Sequence, residues 1–281
     1  MMGLFRSLRE RRRARILRTK PIPEELWAWA LKEHKIFARL DEGERRRLRD
    51  LATIFLAEKA FHPVRDAEVD DAFRVSTAAQ ACLPILELGL DWYADWKTII
   101  VTGDAYEITR TETDAAGVVH EYEDELGGEV LHLGPVVLSM TDVDESGWGD
   151  GYNVVIHEAA HKIDGADGAF DGCPPLPSDM DYAEWREVFV AAFERMRAAE
   201  ERPPARGSSA GRNKRGARRK KGGRIRIDSY AAFSPDEFFA VCTEYFFEKP
   251  VVLRSDFPDV YRLLARFYRQ DPYERLSSSP S

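Results

Sequence analysis

Hydrophobic positions in the first quarter of the chain recur at helical spacing. Asp41 stands where an N-cap belongs, Glu44 follows three residues later, and Leu48, Leu51, Ala52, Phe55 and Leu56 then repeat every three or four positions. The whole of 24–60 predicts helices, and 72–90 predicts another apolar one ending near Gly89. The period then changes. KTIIVTGDAYEITR, VVHEYED and EVLHLGPVVLSM, within 97–140, are rich in β-branched residues and broken by Gly and Asp, which predicts a small sheet. His120 and His132 alternate there with apolar neighbours, which suits a surface or sheet edge rather than a ligand. Helical spacing returns at 152–164, ending at Gly165, a good C′ residue, and again at 180–200. Further helices are expected at 235–248, ended by Pro250, and at 257–270. Helices, a small sheet and helices again make a mostly helical α+β fold without internal repeats.

Composition narrows the class. Of 281 residues, 44% are hydrophobic, enough for a substantial core. The reading is one domain over 24–275, with a basic segment at 1–23 and a short tail at 276–281. No apolar run approaches the roughly 20 residues of a membrane-spanning helix. The opening stretch, MMGLFRSLRERRRARILRTK, lacks the apolar core and cleavage site of a secretory signal. Cys82, Cys173 and Cys242 form no CxxC pair, so neither a disulfide framework nor a thiolate metal site is expected. A cytoplasmic protein with reduced thiols follows as the expectation.

Charge divides the chain. The net charge is −8, but residues 1–20 carry +7 and residues 202–226 carry +11, leaving −26 on the rest. Pro21 and Pro23 stop any helix formed by the first segment, which reads as a solvated terminus or a basic helix for a membrane surface or nucleic acid. The second segment, RPPARGSSAGRNKRGARRKKGGR, has nothing to bury and reads as a disordered loop. Its position suits a flap over a cleft. Without aromatic residues it offers a nucleic acid charge but no base stacking, and the acidic remainder repels a polyanion, so no specific nucleic-acid partner is expected.

The chemistry concentrates in VVIHEAAHKID, residues 154–164. His157 and His161 lie one helical turn apart on one face, so both rings can reach one ion. Glu158 points about 100° away, beyond the ion but within reach of a water near it, where a general base is needed. A buried helix carrying two histidines and a glutamate for no purpose would be costly. Two histidines do not complete a catalytic site, which takes three protein ligands and an open position. The metzincin pattern wants Gly and His where this chain has Asp164 and Asp167, although Asp167 stays possible as a carboxylate ligand. Glu237 and Glu244, seven apart on SPDEFFAVCTEYFF, share a helix face. Ser234-Pro235-Asp236-Glu237 reads as a capping box, which would fold Glu237 back on its own helix, yet a helix N-terminus also keeps a carboxylate ionised as a ligand must be. These arguments leave Glu237 and Glu244 even.

HEAAHKIDG, DSYAAFSPDEFFAVCTEYFFEKP and PDVYRLLARFYRQDP resemble the Mlc titration factor A family of zinc metallopeptidases. ACLPILELGLDWY and LGPVVLSMTDVDESGWGDGYNVVIHEAAHKID fit the same family in order and spacing, so the resemblance covers about 40–275. It implies a zincin-like domain similar to the catalytic domain of anthrax lethal factor, one Zn²⁺ per chain and aminopeptidase-like activity. It also implies ligands His157, His161 and Glu237, with Glu244 behind them, Glu158 as base and Tyr230 beside the metal as oxyanion donor. Asp228, Asp236 and Glu244 are candidates for holding a substrate amine. The expected partners are a peptide substrate and a transcriptional repressor resembling Mlc, which governs glucose-uptake genes. The alternative is a non-catalytic protein that sequesters such a repressor, and the intact Glu158 argues for the enzyme.

Overall fold

The computed structural model describes residues 2–103, 106–113, 119–126, 128–130, 134–201 and 225–277, with side chains over 8–103, 134–201 and 225–276. The first half holds α1 (Met2–Thr19), α2 (Glu24–Glu33), α3 (Glu42–Glu58), β1 (Ala60–Pro63), α4 (Asp71–Cys82) and β2 (Thr98–Thr102). Then come β3 (Tyr106–Thr113), β4 (Val119–Leu126), β5 (Gly128–Val130), β6 (Val136–Ser139), α5 (Met140–Asp144) and α6 (Val154–Asp164). The last part is helical: α7 (Tyr182–Glu200), α8 (Pro235–Glu248), α9 (Pro250–Asp256), α10 (Pro258–Tyr268) and α11 (Pro272–Ser277). The fold is thus mostly helical α+β, as the periodicity predicts.

Side-chain caps set where several helices begin. Asp41 and Glu44 form both halves of the expected capping box, Asp70 accepts from Phe73 N, and Asn153 accepts from Ile156 N at 2.9 Å. The ends are where expectation fails. Helix α4 stops at Cys82 rather than near Gly89, because Leu83 N turns back to Gln80 O and Pro84 has no N–H to continue. Pro250 ends α8 and also opens α9, where a missing N–H costs nothing. Gly165 is not left-handed, with φ −74°; a Cβ there would lie 2.2 Å from the Phe170 ring, and Gly168 makes the left-handed turn at φ +91°.

The strands form two sheets, not one. Four strands run in the order β1-β2-β6-β5, with β1, β2 and β6 parallel and β5 antiparallel to β6. The periodicity does not predict β1, since AFHP is a four-residue edge strand with too little pattern. β3 and β4 pair separately and antiparallel, with His120 opposite Glu112 in the register. The side chain of His120, the whole of His132 and most of the basic loop, 202–224, lie outside the described residues. The loop's expected last residue, Arg226, is fixed: its backbone N and its guanidinium donate to Asp256, at 2.7 Å and 2.6 Å.

Helix α6 occupies the centre. Ile99, Val136 and Leu138 of the sheet face Val155, Glu158 and Ala159 of α6 across a cavity of about 10 Å³. On its other side α6 packs on α8, which is buried on every face from Phe238 to Glu248. Trp185 and Phe189 of α7 stack at 4.3 Å and close over Phe238 and Phe239. The turn after α6 crosses the start of α8 at Gly172, whose N donates to Asp164 Oδ2 at 2.9 Å and whose carbonyl accepts from Trp185 Nε1 at 3.0 Å. Gly172 has φ +76°, and a Cβ there would lie 2.4 Å from the Pro235 carbonyl oxygen. Gly172→Ala is therefore expected to cost about 3 kcal/mol in urea unfolding, through left-handed strain and a backbone clash that a side chain cannot relieve. A loss below about 1 kcal/mol would show that this crossing is soft.

Candidate metal centre

Three side chains from two helices converge. His157 and His161 project from one face of α6, as their spacing requires, with Nε2 atoms 3.2 Å apart. Glu237, in the first turn of α8, places Oε2 3.0 Å from His157 Nε2 and 3.4 Å from His161 Nε2. Ligand atoms of the three all lie within 4.8 Å of one another, the one such group among the described residues.

These distances can be tested against a metal. Ligands about 2.0–2.1 Å from a tetrahedral ion stand about 3.3 Å apart along the tetrahedron's edges. The observed 3.2, 3.0 and 3.4 Å match that edge. The proton count agrees. His157 Nδ1 lies 2.8 Å from Glu244 Oε1, so the ring's proton sits there and the Nε2 lone pair faces the trio. Glu237 Oε2 is buried without a hydrogen-bond partner, aimed at those lone pairs. In that neutral tautomer the trio presents acceptors to one another, an arrangement that fits a cation. The donor set, two imidazoles and a carboxylate, suits a divalent ion such as zinc.

The electrostatics say the same. Burial works against a charged His157 ring, but the carboxylates of Glu237 and Glu244 beside it outweigh burial and raise its pKa well above the ordinary imidazole value, drawing to the ring a proton that an ion held by the trio would displace. Burial likewise works to raise the Glu237 carboxyl, yet both rings hold it well below the usual carboxylate range. Two carboxylates around one imidazole leave surplus negative charge for a cation to neutralise.

Glu158 is 2% exposed on the sheet side of α6. Burial pushes its carboxyl up to about 7, against the opposing pull of His157 and His161. Its Oε2 has no hydrogen-bond partner, so nothing ties that oxygen down. Tyr230 donates its hydroxyl to Glu237 Oε1 at 3.1 Å, and its ring centre lies 6.0 Å from that of His157. The capping-box alternative for Glu237 is half realised: Ser234 Oγ accepts from Glu237 N at 3.5 Å, while the carboxylate turns away to the histidines. Asp167 stands outside the trio, exposed and accepting from Ala169 N. Of the candidates for a substrate amine, Glu244 is buried with both oxygens engaged, by His157 and by Asn153 N at 2.6 Å. Asp228 is exposed and accepts from Tyr230 N at 2.9 Å, and Asp236 is half-buried in the first turn of α8.

Sequence reasoning missed the support behind the trio. Asn153 caps α6, gives its backbone N to Glu244, and donates Nδ2 to Gln80 Oε1 at 2.8 Å and to Glu248 Oε1 at 2.9 Å. Gln80 donates to Ser76 Oγ at 3.3 Å, and Ser76 lies 2.6 Å from His34 Nε2. Glu248, raised to about 7 by burial, also accepts from Gly149 N. An Asn just before a helix signals a cap, but nothing in the sequence ties that cap to a glutamate on another helix. Phe233 was missed too: it is 67% exposed and stacks on Tyr230 with ring planes 12° apart.

Comparison with known proteins agrees with this geometry. Residues 8–269 match the family described as Glucose-regulated metallo-peptidase M90. A protein named Mlc titration factor A from Edwardsiella ictaluri (strain 93-146) is 36% identical over 245 residues, covering 87% of this chain and 87% of its own. Its namesake from Yersinia pestis (strain Pestoides F) is 33% identical over 260 residues, covering 92% of this chain and 89% of its own.

Glu244→Gln removes the charge behind His157 and sets an amide N–H₂ against a donor. The expected result is metal affinity lower by about 10–100-fold, measured by competition with a chelator, with the fold kept. Unchanged affinity would mean that Glu244 serves the core alone.

Proposed function

We propose, from the premise that the chain belongs to the Glucose-regulated metallo-peptidase M90 family, that it is a zinc-dependent aminopeptidase acting on small peptides. The observation that carries this is the trio at tetrahedral-edge spacing beside a carboxyl whose pKa lies near neutrality. His157, His161 and Glu237 would hold the ion, which when bound polarises a carbonyl and acidifies water.

The chain's own residues do the rest in this reading. Glu158 takes a proton from the attacking water and passes it to the departing amine. A base with pKa near 7 suits both transfers at neutral pH. Tyr230 hands its O–H from Glu237 to the oxyanion that forms on the carbonyl. Glu244 and Asn153 keep the His157 ring in one tautomer throughout. Asp228, exposed beside Tyr230, is the carboxylate best placed to hold the free amino terminus. The name carried by the relatives favours a second role, binding an Mlc-like repressor, and the two roles are compatible.

Glu158→Gln is expected to keep the metal and lose on the order of 10³ in kcat on amino-acid p-nitroanilides. Tyr230→Phe is expected to lose about 10²-fold in kcat with KM little changed. A wild type that binds zinc yet matches Glu158→Gln on every substrate would turn the reading toward the repressor-binding role.

A further inference from the structure

Helix α1 is docked by one face and bare on the other. Arg9 meets Asp91 at 2.7 Å, and Arg13 meets Asp91 at 2.8 Å and Glu58 at 3.2 Å. Ile16, on the same side of the helix, is 8% exposed and belongs to the core. These contacts lay α1 along α3. The opposite side carries Arg11, Arg15 and Arg18, four and three residues apart, flanked by Arg12 and headed by Leu8. All four arginines are exposed, and among the described residues none has a carboxylate partner. Leu8 is 53% exposed.

We propose that this strip of α1 docks the protein on an anionic lipid surface. Four guanidinium groups without carboxylate partners among the described residues, three in a row and one at its flank, match a plane of phosphates, and each adds to the attraction. The leucine at the head of the row gains by entering the interface between headgroup and acyl chain. A nucleic acid fits less well. The strip has no aromatic side chain to stack on a base, and a helix held lengthwise against the body cannot enter a groove. An exposed leucine also gains nothing against a phosphate backbone. The acidic remainder of the chain, −26 outside the two basic segments, repels any polyanion, but salt screens that repulsion beyond roughly 8 Å. Only what touches the strip feels its charge in full. Among the described residues no helix is long and apolar enough to cross a membrane, so the attachment is peripheral and reversible.

The test uses the full-length chain and sucrose-loaded vesicles of phosphatidylcholine, with or without phosphatidylglycerol. The wild type is expected to pellet with the anionic vesicles only, and less as salt rises. Replacing Arg11, Arg12, Arg15 and Arg18 together by Gln is expected to lower partitioning on the order of a thousandfold. The four side chains hold nothing in place, so the variant's melting temperature should equal the wild type's. Leu8→Ser is expected to weaken binding most at high salt, where the apolar contribution remains. Three results overturn the proposal: no pelleting of the wild type with anionic vesicles, equal pelleting on neutral ones, or undiminished pelleting of the four-arginine variant. Retarded DNA in a gel, with no vesicle binding and with loss in the same variant, would reassign the strip to nucleic acid.

Discussion

The contact between Glu244 and His157 settles two problems at once. Helix α8 is buried on every side, so a carboxylate in its middle needs donors or it would destabilise the core. Helix α6 begins inside the protein, so the backbone N–H at its cap needs an acceptor away from water. Glu244 meets both needs, taking Asn153 N with one oxygen and His157 with the other. The orientation of the histidine that faces Glu237 is thereby set by the core's own polar requirements. Site and core share one hydrogen bond, and neither could be redesigned alone.

Around that bond the polar groups join into a chain. His34, Ser76, Gln80, Asn153 and Glu244 link the α2 end of the molecule to His157 through buried side chains and the backbone N–H of Asn153. In a low-dielectric interior such a chain stiffens as each partner polarises the next. The loop before α6, with glycines of positive φ at 147, 149 and 151, packs against this chain at His34. A Cβ on Gly147 would strike His34 and one on Gly151 would strike Tyr245, so the loop can press against both only where side chains are missing.

Much of this was legible in the sequence, where one local rule acted alone. The Asp41–Glu44 box, the helical spacing of His157 and His161, and the change of period near 97 all depend on neighbours in the chain. Legibility failed where two rules competed for one residue. Glu237 fits the sequence pattern of a capping box and also stands where it can face the histidines, and only its direction in space decides: its N–H meets the Ser234 cap and its carboxylate turns to the histidines. Family resemblance, not spacing, separated it from Glu244. The end of α4 fell where Pro84 overrode an apolar pattern that continued beyond it. Gly165 does end α6, and its missing side chain makes room for the Phe170 ring, a contact the local pattern does not show.

Because the trio draws on α6 and α8, which lie far apart along the chain, it exists only in the folded protein. An unfolded chain offers an ion the HEAAH pair and little else. Any ion that prefers three ligands to two therefore pulls the equilibrium toward the folded state, by an amount that grows with its free concentration. Holding α6 against α8 also braces the turn at Gly172 and the start of the helix that bears Glu237. In a cell, where proteases remove what unfolds, the abundance of this protein would then follow metal supply without any change in its synthesis. The arrangement that fits it for hydrolysis would also make its lifetime a record of metal nutrition.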